Sequence, residues 1–230
     1  ADQFDQDVLG YMCGFKQSAL HGTPNAANTT VNGSKAVSTA GSDELLDSME
    51  IRGDDFGGSS SNSVGLDARA PGATDTTPGS GNAHALSVIN RMARLLDQQN
   101  VDTNSRFLVL DPVFVELLRD EDSRLFNADF GGDGLQNGLI LNNLHGFKVY
   151  VSNNLPSVGT GPATTGGTNA SNYGVICAGH MSSVATAEQI NKTETYRDPD
   201  SFADIVRGMH LYGRKILRPE ALVNAKYNLV

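Results

Sequence analysis

The side chains best suited to chemistry are five histidines, two cysteines and one run of acidic residues. The histidines are widely spaced and neither cysteine is in a CxxC pair, so the spacing of a zinc site is missing. Asp120, Glu121 and Asp122 could hold Ca²⁺, but they lack EF-hand spacing, and a solvated turn is the better interpretation. The sequence also has no GxSxG nucleophile elbow and no GxxxxGK[ST] phosphate loop. We therefore predict no catalytic, cofactor-binding or metal-binding residue and no enzymatic activity.

A basic segment near residue 210 contrasts with an acidic chain. The 230 residues have a formal net charge of −9, yet residues 202–222 contain Arg207, Arg214, Lys215 and Arg218. General nucleic-acid binding needs clustered cations, and in an extended strand these side chains would be divided between two faces. Arg also pairs well with carboxylates. Two interpretations remain, namely weak ion pairs within the chain or a binding edge for another subunit.

Several carboxylates are available to meet these cations across a subunit boundary. They are Glu188, Glu194 and the acidic run Asp120, Glu121 and Asp122. We treat these carboxylates and the four cations together as candidate intersubunit contacts.

Hydrophobic periodicity predicts the helices that position these residues. Helical spacing predicts a helix at residues 1–15 and another at residues 83–100. The apolar stripe of the second helix consists of Ala85, Ile89, Met92, Ala93 and Leu96. Asp111 and Pro112 are typical of a helix start, so a third helix should follow a buried strand at residues 106–110.

Further strands are predicted around a His145–Gly146 turn, at residues 173–180, and as long strands or a hairpin that breaks near Pro219. Helices and strands without regular βαβ alternation indicate the α+β class. The two cysteines should be buried and reduced.

Residues 17–82 differ in composition from the rest, being rich in Gly, Ser, Thr and Asn. The pattern at residues 42–51 predicts one short helix within them. Composition alone would fit a disordered linker. The apolar residues Leu45, Leu46, Met49, Ile51 and Phe56 favour an ordered excursion that is held by contacts with other chains.

Three extended segments resemble the major capsid proteins of tailed bacteriophages that have the Hong Kong 97 fold. They are RFLVLDPVFVELLRD from Arg106, GFKVYVSNNLP from Gly146 and ETYRDPDSFADIVRGMHLYGRKILRPEALV from Glu194. The resemblance covers most of residues 83–228. It implies an α+β fold with a spine helix, a peripheral domain and an axial domain.

The resemblance also implies a division of the chain. Residues 1–15 would be the end of the spine helix, residues 16–82 an elaboration, residues 83–195 the axial domain, and residues 196–230 the return to the peripheral domain. The N-terminal arm and the extended loop normally precede the spine helix, so we expect them upstream of this sequence.

The function implied by the resemblance is structural. Copies of the chain would self-assemble into pentamers and hexamers of an icosahedral head, which encloses double-stranded DNA without sequence-specific binding. Scaffolding, portal and decoration proteins would be partners, with no cofactor and no membrane. The protein would be a virion component that assembles in the host bacterial cytoplasm. Three alternatives remain: an encapsulin-like compartment shell protein, an enzyme that uses a Gly-rich loop and a carboxylate pair, and a phage decoration or adhesion protein.

Overall fold

The computed structural model describes residues 2–13, 45–57, 63–66, 81–118, 143–158, 173–197 and 204–229. Its helices are α1 (Asp2–Met12), α2 (Ala85–Gln98) and α3 (Pro112–Leu118). Its strands are β1 (Glu50–Ile51), β2 (Val64–Leu66), β3 (Asn82–Ala83), β4 (Arg106–Leu110), β5 (Asn143–Leu144), β6 (Phe147–Val151), β7 (Ser157–Val158), β8 (Tyr173–His180), β9 (Val184–Arg197), β10 (Asp204–Ile216) and β11 (Leu222–Leu229).

Within these ranges, nine strands form one mixed sheet. Seven of them follow the order β3-β2-β11-β8-β4-β6-β5, while β1 also pairs with β11 and β7 with β8. Strands β8 and β11 are antiparallel neighbours near the middle, and both are buried over almost their whole length. The prediction of a central strand at residues 173–180 is thus confirmed, because an apolar run of this kind suits a strand that is covered on both faces.

Strand β11 pairs with two segments that lie far upstream in the sequence. Glu50 and Ile51 pair in parallel with Asn224 and Ala225, and β2 pairs in parallel further along the same strand. The predicted helix at residues 42–51 is therefore wrong at its end, where a short 3₁₀ helix (Asp47–Met49) leads into β1. Ile51 is fully buried, so its packing against the core outweighs the local helical pattern.

One face of the sheet is covered by α2 and α3. Ile89, Met92 and Leu96 of the predicted apolar stripe are fully buried there, together with Val88. The predicted start of α3 is confirmed, since the backbone N–H of Phe114 donates to Asp111 Oδ1 at 2.9 Å. These contacts form the larger of the two described cores.

The opposite face carries a second core, which α1 covers. Its buried members are Met12, Cys13, Leu45, Tyr173, Val175, Cys177, Ile216 and Leu222. Both cysteines are buried free thiols, as predicted. The Asn224 amide donates to the carbonyl of Met12 at 3.2 Å, which fixes the end of α1 over the middle of the sheet.

Strands β9 and β10 form a separate antiparallel hairpin. Their register runs from Ile216 opposite Val184 to Asp204 opposite Arg197, with one β-bulge. At about 3.4 Å per residue, its 13-residue strand is about 44 Å long. The backbone N–H groups of Leu217 and Arg218 both donate to the Ser183 carbonyl, and this contact fixes the base of the hairpin beside the large sheet.

Candidate functional site

The basic segment of the sequence lies on β10 and just beyond it, and Arg214 is its most buried cation. The guanidinium forms an ion pair with Asp7 of α1, whose side chain is only 2% exposed. It also lies over the ring of Tyr11, with 4.8 Å between Arg214 Cζ and the ring centroid. Burial lowers the pKa of Arg214. This cation therefore connects the hairpin to α1 within one chain.

The partner of Arg214 was missed from the sequence, although α1 contains a signal for it. Phe4, Asp7 and Tyr11 are spaced by three and four residues and so share one helix face. Phe4 meets Tyr212 of β10 edge to face, with ring centroids 4.9 Å apart. A single carboxylate between two aromatic residues on a helix face indicates a buried cation partner.

Arg207 lies further out on the hairpin and is largely exposed. It forms an ion pair with Glu194 at 3.3 Å, with side-chain exposures of 67% and 37%. Its guanidinium also lies 4.9 Å from the ring centroid of Tyr196. These groups are cross-strand neighbours, since Glu194 is opposite Arg207 and Tyr196 is opposite Ile205. Two of the candidate intersubunit residues, Arg207 and Glu194, thus pair with each other within one hairpin.

The remaining candidate residues are scattered. Arg218 Nε donates to Glu220 Oε1 at 3.1 Å in an exposed pair. The pKa of Glu220 is lowered by its own backbone N–H and by this hydrogen bond. Lys215 and Glu188 are exposed on the hairpin, opposite Ala185 and Tyr212 respectively.

The acidic run Asp120, Glu121 and Asp122 lies outside the described residues. The same holds for most of the excursion at residues 17–82.

A second charged cluster is buried beside Tyr173 of the second core, and sequence reasoning missed it entirely. Lys226 forms an ion pair with Glu50, and both side chains are 4% exposed. Arg52 donates to Glu50 Oε2 at 2.9 Å. Burial favours a raised Glu50 pKa, but the charges and hydrogen bonds of Lys226 and Arg52 outweigh it and lower the pKa. Burial also raises the pKa of Tyr173, whose ring Lys226 faces, to about 12.

Neither of these two described clusters has the residue types of a metal centre. Among the described residues, no group of three or more His, Cys, Asp or Glu side chains could hold a metal ion. In the same part of the chain, no helix is both long and apolar enough to cross a membrane. The first cluster connects α1 to the hairpin and the second connects β1 to β11, so both can act in architecture.

Comparisons with known proteins bear on this architecture. A structure titled Mycobacterium phage Che8 is 28% identical, with a TM-score of 0.52, and the match covers 88% of this chain and 59% of that one. The asymmetric unit of the bacteriophage PhiM1 mature capsid is 16% identical, with a TM-score of 0.57, and the match covers 100% and 61%. The predicted α+β class with a Hong Kong 97-type capsid fold is confirmed. The chain spans about three fifths of the length of these two proteins.

The sequence itself gives the family. The family model described as phage capsid protein matches residues 22–225. The chain belongs to this family, which indicates a structural protein. No curated protein matches the sequence.

Proposed function

We propose that this protein is the major capsid subunit of a tailed bacteriophage. Copies of it assemble into pentamers and hexamers, and these close an icosahedral head around double-stranded DNA. The observation that carries this proposal is the family match over residues 22–225. It is supported by the fold, which resembles that of a mature phage capsid along the whole chain.

The division into domains belongs to the same proposal. We assign α1 to the end of the spine helix, residues 83–195 to the axial domain and residues 196–230 to the return into the peripheral domain, with residues 16–82 as an elaboration. Contacts of α1 with Tyr212 and Arg214 support a peripheral unit made of the helix and the hairpin. The pairing of β1 and β2 with β11 means that residues 16–82 also contribute to the large sheet.

The charge of the chain fits an enclosing role. A net charge of −9 keeps the shell from binding the packaged DNA tightly, because like charges repel. Scaffolding, portal and decoration proteins are the further partners of such a shell, which assembles in the host bacterial cytoplasm. The proposed intersubunit contacts are Arg207, Lys215, Arg218, Glu188, Glu194 and the acidic run 120–122, whereas Arg214 is removed from this set because it pairs with Asp7 within the chain. Repetition of modest contacts stabilises the closed shell.

Electron microscopy of the full-length protein tests the proposal. The protein is expressed alone and together with the neighbouring viral genes. We expect closed shells of uniform diameter, and DNA-filled heads when the packaging proteins are present. Uniform empty shells that take up a foreign protein cargo would favour an encapsulin-like compartment. Small soluble species under both conditions would contradict the proposal and favour a decoration or adhesion protein.

A further inference from the structure

Among the described residues, several side chains on the outer half of the hairpin are exposed, including Tyr196, Arg207 and Leu211. Near the base, Tyr212, Arg214 and Ile216 of β10 point toward α1 and the second core. Because side chains alternate along a strand, Leu211 points the other way, as do Arg207 and Ile205. Cross-strand pairing brings Glu194 and Tyr196 to the same side. We call this side, defined by Glu194, Tyr196, Ile205, Arg207 and Leu211, the outer face.

The outer face exposes apolar side chains whose burial would be favourable. Leu211 is 57% exposed and Tyr196 is 43% exposed. An isolated two-stranded hairpin is at best marginally stable in water, and only the base of the strand β10, which is about 44 Å long, packs against α1 and the second core. Burial of the exposed side chains against another surface would therefore stabilise it.

Tyr196 and Arg207 are the residue types that anchor protein interfaces. Arg207 is held by two contacts, the ring of Tyr196 at 4.9 Å and the carboxylate of Glu194 at 3.3 Å. Side chains that are ordered before binding lose less entropy when an interface forms. Tyr and Arg are enriched among the residues that dominate binding energy.

Charge indicates which partner fits. The two strands contain five Lys or Arg residues and three Asp or Glu residues, a net charge of +2. The whole chain has −9, so the remainder has −11. A basic hairpin and an acidic remainder on every copy are complementary between copies. Nucleic acid fits less well, because the five residues that define the outer face include one cation, Arg207, and Glu194 offsets its charge.

We propose that the outer face is a docking surface for a second copy of this chain, with Tyr196, Arg207 and Leu211 at its centre. The inference rests on the proposed function and deepens it by naming the surface and its anchors. It adds apolar and aromatic contacts to a set of candidate residues that was chosen by charge alone.

The test compares two substitutions in the full-length protein. Leu211→Asp places a charge on the outer face. Leu217→Asp is the matched control, because Leu217 is 60% exposed and lies beyond the end of β10. Both variants should unfold at the wild-type temperature. We expect wild-type shell yield for Leu217→Asp and about a tenfold or greater loss for Leu211→Asp.

A photocrosslinking residue at position 196 identifies the occupant. Mixed ¹⁴N- and ¹⁵N-labelled protein should give cross-links between differently labelled chains. Cross-links within one chain only, cross-links to DNA, or normal shells from folded Leu211→Asp would each overturn the inference and leave the proposed function intact. If the wild type forms no shells, sedimentation velocity measures whether the protein forms small oligomers or is monomeric. Small oligomers lost in Leu211→Asp would support the docking surface without the shell, whereas a purely monomeric wild type would overturn both proposals.

Discussion

Glu50 is a buried residue whose ionisation contributes to the stability of the fold. Its pKa lies below the ordinary value of 4.5 in spite of burial, because Lys226 and Arg52 stabilise the carboxylate. A lowered pKa means that the unfolded chain takes up the proton first as the pH falls. The stabilisation is therefore complete above about pH 4.5 and is lost as the pH falls through the folded-state pKa.

Glu50→Gln should remove that pH dependence. At pH 7 the variant should be less stable by about 3–5 kcal/mol, since Lys226 remains buried without its counter-charge. The difference from wild type should shrink below pH 4.5. Urea unfolding at pH 7, 5 and 3.5 measures it, with the exposed Glu116→Gln as control. Parallel pH curves for wild type and Glu50→Gln would contradict the assignment.

The close packing around Gly179 leads to a testable prediction. A Cβ at this position would lie 2.8 Å from the carbonyl oxygen of Ala221 and 3.2 Å from Phe107 Cζ. Gly179→Ala should thus destabilise the protein by about 1–3 kcal/mol, because backbone must move to make room. Gly213→Ala is the control, since a Cβ there meets nothing within 4 Å. Equal thermal unfolding midpoints for the two variants would contradict this prediction, because the sheet would then accommodate the added methyl group without a loss of stability.

Features that depend on neighbouring residues could be predicted from the sequence, whereas ion pairs between residues far apart in the sequence could not. Asp111 followed by Pro112 identified a helix start, and the His145–Gly146 turn was expected where both residues have positive φ, 50° and 83°. Such signals involve neighbours in sequence. The pairs of Arg214 with Asp7 and of Lys226 with Glu50 join residues far apart in sequence, and the fold alone decides which carboxylate each cation meets.

At the scale of elements, a buried ion pair adds to the aromatic contacts that hold α1 against the hairpin. Asp7→Asn should cost about 3 kcal/mol, the lower end of the range for a broken buried pair, because Arg214 keeps 19% exposure. Glu220→Gln removes an exposed pair and should leave the unfolding midpoint unchanged. Chemical denaturation of both variants measures the difference. If the two midpoints were equal, the ion pair would not fix the helix to the hairpin.

The periodic elements were predicted well and the short ones poorly. Helix α2 was expected at residues 83–100 and occupies Ala85–Gln98, because an apolar stripe along this 14-residue helix gives an unambiguous period. Strand β1 has two residues, too few to show any period. Its place beside β11 comes from tertiary packing, so a helical pattern at residues 42–51 misled the prediction.

At the scale of the whole molecule, Arg218 tests whether an exposed cation contributes to assembly. Arg218→Glu should block shell formation while leaving the subunit folded, because its side chain is 47% exposed and its partner Glu220 is local. Arg94→Glu reverses an exposed charge on α2 and serves as the control. Electron microscopy gives shell yield and circular dichroism gives folding. Normal shells from Arg218→Glu would remove this residue from the proposed contacts.

The position of β11 also affects when the chain can fold. It lies between β2 and β8, and it pairs Asn224 with Glu50 and Ala225 with Ile51. Contacts between residues so distant in sequence make loop closure slow. The middle of the sheet stays open on the ribosome until residues 222–229 emerge. A nascent chain therefore cannot complete the large sheet, or the surfaces built on it, until residues 222–229 have been synthesised.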